Sequence, residues 1–314
     1  MILQALVGVP ALSQAEWQSA SGVQRWLVAS RASVLPLTLG SALFAIGLLG
    51  PGVQVLDAAL VLAALLAAHA TNNLLNDHVD YRAGLDRDNY FRAQYGTHPL
   101  SAGWLDLEGH LRYVLVTGGV AFVLACMVLL NAGVDVVLPA VLGAVLLLFY
   151  TWPLKRMALG EVSVWLAWGP LMICGVVLAL DGSVDQHVMA AASVYGLGPL
   201  LVILAKHTDK IDDDRERGIV TVPVILGERA SRAVMVCVLV LQLAGVCVLG
   251  SLWYLLVFLA LPQAWRLVRM LGKPRPAVAP VGPSGQAWPL WFTAAAFLYA
   301  RLAGLLLVAA AFAS

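Results

Sequence analysis

The stretch NNLLNDHVDYRAGLD, residues 72–86, places six Asn and Asp side chains directly after an apolar run. The chain around it is 61% hydrophobic and only 12% charged, with a mean hydropathy of +0.86. Repeated apolar runs of about 20 residues at such a hydropathy are typical of helices that cross a bilayer. The sequence therefore predicts a polytopic membrane protein in which this polar stretch lies at a membrane surface.

The apolar runs predict an all-α bundle of nine transmembrane helices, because each run is long enough to span the hydrocarbon core. The predicted spans are approximately 30–49, 53–75, 110–131, 134–151, 162–181, 186–206, 230–250, 252–272 and 289–312. Residues 30–314 are accordingly predicted to form one nine-helix domain. Residues 1–29 are less apolar and are predicted to be an interfacial N-terminal segment.

The distribution of basic residues predicts the orientation of the bundle. The turns after the first, third, fifth and seventh spans carry no Lys or Arg, whereas all but one of the 19 basic residues fall on the opposite side. Loops rich in Lys and Arg face the cytoplasm. We therefore expect a multi-pass protein of the cell inner membrane whose N-terminus, second loop and sixth loop all face the cytoplasm.

Both of these cytoplasmic loops are rich in acidic residues. At helical spacing, the polar residues of the second loop form a single stripe, made by Asn73, Asn76, Asp77 and Asp80. The sixth loop reads KHTDKIDDDRERG at 206–218 and has a similar acidic face. Closely packed carboxylates repel one another unless a cation lies between them, and oxygen ligands without thiols favour Mg²⁺. The pair of loops therefore predicts a magnesium site.

Several segments resemble the UbiA superfamily of intramembrane prenyltransferases, and especially its 1,4-dihydroxy-2-naphthoate branch. NDHVDYRAGLD at 76–86 is similar to the first aspartate motif of that family. DDDRERGIVTVPVILG at 212–227 is similar to its second aspartate motif and the segment that follows. RASVLPLTLGSAL at 31–43 and YTWPLKRMALGEVSVWLAWGPLMICG at 150–175 resemble its first helix and its helix 4 to helix 5 region. The resemblance covers about residues 30–230.

The resemblance implies an Mg²⁺-dependent nine-helix enzyme. Such an enzyme moves a prenyl group from a prenyl diphosphate to a lipophilic, aromatic acceptor in quinone-type biosynthesis, and its partners are those two substrates and the bilayer, not nucleic acid. The implied metal ligands are Asp77, Asp80, Asp209, Asp213 and Asp214. The implied catalytic residues are Asp77, Asp80, Asp214 and Lys155. The implied substrate-binding residues are Asn73, Asn76, Arg92, His98, Tyr150, Arg156 and Lys210.

Two positions depart from the family pattern. In the second motif, Lys210 stands where the family usually has an Asp, four residues before Asp214, and Asp209 is the neighbouring carboxylate that could substitute for it. In HPLSAG, His98 stands where family members commonly have an Arg, which replaces a permanent cation with one that depends on pH. Both changes are expected to alter the binding of the donor.

Two other classes of protein remain as alternatives. A cation-coupled transporter also uses carboxylates in the membrane, but these lie at midspan, whereas here they cluster at helix ends. Another Mg²⁺-dependent lipid-forming transferase, the CDP-alcohol phosphotransferase, also uses Asp pairs. Its Asp-Gly-x-x-Ala-Arg signature is absent from this sequence.

Overall fold

The computed structural model describes residues 2–84, 91, 96–150, 153–180, 183–281 and 287–314. The regular structure within these ranges is entirely helical. The helices are α1 (Ile2–Val7), α2 (Gln14–Ser19), α3 (Gly22–Ala29), α4 (Ala32–Leu49), α5 (Val55–Arg82), α6 (Leu107–Asn131), α7 (Val134–Phe149), α8 (Gly160–Leu180), α9 (Gln186–Asp209), α10 (Ile211–Glu216), α11 (Val222–Val246), α12 (Leu252–Leu271) and α13 (Trp291–Ala313). The first turns of α4 and α7 and the first half of α12 are 3₁₀ helix.

Each of the nine predicted spans corresponds to one of the described helices. Seven of them are long and apolar enough to cross a membrane, while α7 is apolar but shorter. The remaining helix, α11, has 25 residues and carries Arg229 and Arg232 near its start. The predicted fold class, an all-α multi-pass membrane protein, is thus confirmed.

The clearest difference from the predicted spans lies in α5. The predicted span ends at residue 75, where hydropathy falls, but the helix continues to Arg82. The extra turns contain three of the four residues of the polar stripe, Asn76, Asp77 and Asp80, and the two Asp side chains are buried. The helix can continue through this polar stretch because its side chains have protein partners, so loss of hydropathy does not mark the end of the helix.

The chain divides into two compact units, of which the first comprises residues 1–39 and 59–130. Its N-terminal part is packed, since Ala5, Trp17 and Val28 form a buried cluster against which Trp104 lies. The indole Nε1 of Trp26 also donates a hydrogen bond of 2.9 Å to Thr117 Oγ1 on α6. The predicted position of residues 1–29 at the membrane interface stays a prediction.

The second unit comprises residues 40–58 and 131–314, and α9 is the most deeply buried of its candidate spans. Helix α8 is kinked at Gly169, which precedes Pro170 and has φ −106° and ψ −111°. A Cβ at Gly169 would lie 2.8 Å from the carbonyl oxygen of Ala192, so glycine allows α8 and α9 to touch through their backbones. Tyr299 on α13 donates to Gln242 on α11, which in turn donates to the Val194 carbonyl on α9.

Candidate functional site

The first acidic motif lies in the last turns of α5, within the first unit. Asn73, Asp77 and Asp80 are buried, with 6%, 2% and 6% of their surfaces exposed, and Asn76 is half-buried. Their spacing of three or four residues puts the three buried side chains on one face of the helix. Charged carboxylates are rarely buried unless they are paired or bind a cation. This face of α5 is therefore a strong candidate for a functional site.

Arg31, which the sequence analysis did not single out as a site residue, contacts this motif. Its Nη2 lies 3.3 Å from Asp77 Oδ1 and donates a 3.2 Å hydrogen bond to the carbonyl of Asn73. Asn73 Nδ2 donates in return to the carbonyl of Ser30 at 2.9 Å. Arg31 has a left-handed backbone, with φ 54°, which costs a non-glycine residue about 1–3 kcal/mol. Its contacts with Asp77 and with the carbonyl of Asn73 on α5 hold Arg31 in this conformation.

Histidines surround the same region of the first unit. His98 and His110 are buried, and the rings of His78 and His110 are stacked with centroids 5.7 Å apart. The backbone N–H of Ser101 points to His98 Nδ1 at 3.5 Å, and the Tyr81 ring centroid is 6.3 Å from that of His98. The residue predicted to replace the family's arginine is thus enclosed by its own loop and by α5.

The second acidic motif begins at the end of α9, and Asp209 there has a structural partner. Its Oδ1 accepts a hydrogen bond from Phe292 N at 3.0 Å. Its Oδ2 accepts from Thr293 N at 2.8 Å and from Thr293 Oγ1 at 2.6 Å. Arg275 Nε lies 3.7 Å from Oδ1. Asp209 therefore satisfies the first N–H groups of α13, which have no partner inside their own helix.

The remaining acidic residues of this motif lie on α10 and differ in environment. Asp214 is fully buried and pairs with Lys210, whose Nζ lies 2.7 Å from Asp214 Oδ1. Asp212 is exposed and pairs with Arg215 at 3.0 Å. Asp213 is half-buried; burial raises the pKa of its carboxyl above the usual value, and the nearby positive charges of Lys210 and Arg275 oppose that rise.

A buried Glu and His hold the second motif in place, and the sequence analysis missed both. Glu161 Oε1, in the first turn of α8, lies 2.6 Å from His207 Nδ1, near the end of α9. The same oxygen accepts a 3.1 Å hydrogen bond from the backbone of Val222, at the start of α11. One carboxylate thus joins three helix ends. Glu161 directly precedes one predicted span and His207 directly follows another, so neither interrupts an apolar run and no sequence signal pairs them.

The other predicted site residues are described only in part. Arg92 lies outside the described residues, and so do the side chains of Lys155 and Arg156. Tyr150 is half-buried at the end of α7. Within the residues that the structure describes, no three His, Cys, Asp or Glu side chains are grouped so that they could hold a metal ion.

Comparison with known proteins gives a consistent picture. The model of the UbiA prenyltransferase family matches residues 33–280. The chain is 26% identical over 242 residues to a UbiA prenyltransferase domain-containing protein 1 homolog of Drosophila melanogaster, covering 75% of this chain and 67% of that protein. It is 27% identical over 282 residues to the 1,4-dihydroxy-2-naphthoate octaprenyltransferase of Escherichia coli, covering 83% and 89%.

Solved structures show the same fold. A UbiA homolog from Archaeoglobus fulgidus bound to GPP and Mg²⁺ has a TM-score of 0.60 at 14% identity, covering 91% of this chain and 99% of that one. A digeranylgeranylglyceryl phosphate synthase has a TM-score of 0.61 at 14% identity, covering 93% and 99%. At such low identity the likeness establishes the fold alone.

Proposed function

Because the chain belongs to the UbiA prenyltransferase family, we propose that it moves a prenyl group from a prenyl diphosphate to a lipophilic, aromatic acceptor with the help of Mg²⁺. The observation that carries this proposal is the pair of buried carboxylates, Asp77 and Asp80, on one face of α5. The naphthoate prenyltransferase among the relatives supports an acceptor of the quinone-precursor type. The structural neighbour bound to GPP and Mg²⁺ supports the donor and the metal.

The first motif fits a magnesium ion. Mg²⁺ prefers oxygen ligands and is usually held by one or two carboxylates together with substrate phosphates. Asp77 and Asp80 are spaced by three residues on α5, so both can serve one cation on that face. When bound, the ion would neutralise negative charge on the diphosphate as it leaves. The second motif fits less well, since Asp209 caps α13 and Asp214 lies 2.7 Å from Lys210, a closer and more deeply buried pair than that of Asp77 with Arg31 at 3.3 Å.

The residues of the first unit have distinct roles in this proposal. Arg31 fixes Asp77 through a 3.3 Å contact and adds a permanent positive charge where the diphosphate is expected to bind. Ser30 orients the amide of Asn73 through its carbonyl. When the allylic C–O bond breaks, its electron pair leaves with the diphosphate; an acceptor ring carbon then forms the new C–C bond and releases its proton. The apolar interior of a membrane bundle protects the allylic cation from water.

The proposed activity predicts a strict dependence on both substrates. Purified protein, supplied with Mg²⁺ and a prenyl diphosphate, should release inorganic diphosphate only when an aromatic acceptor such as 1,4-dihydroxy-2-naphthoate is added. Excess chelator should stop the release, because charge on the leaving group would no longer be neutralised. A colorimetric diphosphate assay with mass spectrometry of the lipid product makes the measurement. A transporter would form no prenylated product under any of these conditions.

The proposal also places the protein in the cell inner membrane with α10 on the cytoplasmic side, and this orientation can be tested across α9. In a background where the four native cysteines are replaced, Ser183→Cys introduces a thiol just before α9, and Glu216→Cys introduces one on α10, beyond the other end of α9. An impermeant maleimide added to intact cells should label residue 183 and leave residue 216 unlabelled until the cells are opened. The expectation follows from the basic residues on the side of α10. The reverse pattern would invert the proposed topology.

A further inference from the structure

We infer that Lys210 is the resident cation of the second acidic motif and takes the place of a divalent metal ion at Asp214. This inference rests on the proposed function and refines its metal requirement. Metal binding by this chain is then confined to the first motif, at Asp77 and Asp80. The second motif instead supplies a positive charge that is covalently part of the protein.

The geometry of the pair carries the inference. Lys210 Nζ lies 2.7 Å from Asp214 Oδ1, and the side chains are only 4% and 0% exposed. Lys210 follows the last residue of α9, and Asp214 lies four positions later on α10. A buried ion pair of this kind is costly to separate, because removal of either partner leaves an uncompensated charge in a poorly solvated place. A metal ion that bound Asp214 through Oδ1 would first have to displace the ammonium.

The other carboxylates of the motif do not compensate for the loss of Asp214 as a ligand. Asp209 uses both of its oxygens to accept hydrogen bonds from the start of α13. Asp212 lies on the surface, 87% exposed, with Arg215 beside it. Asp213 is half-buried and has Lys210 as its strongest neighbouring positive charge. Glu216 is exposed as well, so among the described carboxylates of the motif only Asp213 is partly enclosed, and Mg²⁺ there would have one carboxylate in place of a pair.

A lysine at position 210 differs from a bound metal ion in that chelator cannot remove its charge. An ammonium group is a point charge that binds phosphate oxygens as well as carboxylates. It remains present in chelator, whereas a divalent ion is removed. The second motif should therefore keep its charge balance and its stability when Mg²⁺ is withdrawn.

The number of bound ions tests the inference. Purified wild-type protein, with inorganic diphosphate present, is titrated with Mn²⁺, which shares the oxygen-ligand preference of Mg²⁺ and is counted by electron paramagnetic resonance. Asp214→Asn should leave the number of bound Mn²⁺ ions unchanged. Lys210→Asp should bind about one more ion per chain than the wild type. The variant has a carboxylate four residues before Asp214, where the family usually has one. Its Tm should also rise more on addition of Mg²⁺ than that of the wild type.

The matched control is Arg215→Asp, which makes the same charge change at the exposed pair on α10, where solvent and salt screen the added carboxylate. It should leave both the ion count and the Mg²⁺-dependent shift in Tm as they are in the wild type. Should Lys210→Asp not fold, Lys210→Met supplies the second measurement, with a lowered Tm that Mg²⁺ partly restores. The inference is overturned if Asp214→Asn loses a bound ion. Ion counts do not depend on turnover, so failure of the proposed activity would be seen separately in the product assay.

Discussion

Asp80→Asn should remove at least about 99% of prenyl transfer while the protein remains folded, because loss of a group that stabilises charge in the transition state typically costs a factor of about 10²–10³. Asp80 is buried in the last turns of α5, on the same face as Asp77. Asn has nearly the same shape as Asp and lacks only the charge that a cation requires. The measurement is the initial rate of product formation at saturating donor, acceptor and Mg²⁺.

A control on the same helix separates this effect from damage to the fold. Asp57 lies in the first turn of α5, at the opposite end from the motif, and is exposed. Asp57→Asn should retain close to wild-type turnover and Tm. Asp80→Asn with an unchanged Tm and a rate above about a tenth of wild type would rule out the assignment of Asp80 to the metal site. Asp77 is a less clean test, since its replacement also breaks the contact with Arg31.

Hydropathy was sufficient to predict the helices because each span must satisfy its backbone internally and present an apolar surface to lipid. All nine predicted spans correspond to described helices for this reason. Hydropathy failed at the end of α5, where the helix continues seven residues beyond residue 75. There the helix is stabilised by specific partners, Arg31 and Ser30, rather than by lipid. These partners lie more than 40 positions away along the chain, so their contacts produce no periodic pattern in the sequence near residue 75.

The contacts within the candidate site also fall into two groups, those between residues near in sequence and those between residues far apart. The Lys210–Asp214 pair has a spacing of four residues, which is a readable helical signal. The contact of Glu161 with His207 spans 46 positions, and that of Asp209 with Thr293 spans 84. A sequence of carboxylates at helical spacing predicts a shared face, but it does not show which of them has a protein partner. Asp209 illustrates this: the sequence predicts it as a metal ligand, and the structure shows that, from the end of α9, it also accepts hydrogen bonds from the start of α13.

Asp209→Ala is expected to cause the largest loss of stability among the predicted site residues, about 3 kcal/mol. The carboxylate accepts three hydrogen bonds from Phe292 and Thr293, and it is fully buried. An N-terminal cap is worth about 0.5–2 kcal/mol, and each buried donor left without a partner costs about 1–3 kcal/mol. The measurement is the change in Tm and in denaturant midpoint of the purified protein in detergent.

Asp185→Ala provides the matched control, because Asp185 caps α9 through one exposed hydrogen bond of 2.8 Å to Val188 N. Its replacement should cost about 1 kcal/mol or less. The decisive comparison is made in excess chelator. A cap stabilises α13 whether or not metal is present, so the loss in Asp209→Ala should be the same with Mg²⁺ and with chelator. If the difference in stability between Asp209→Ala and the wild type disappears in chelator, Asp209 binds the metal instead. In that case the chelator removes from the wild type the same metal stabilisation that the variant has already lost.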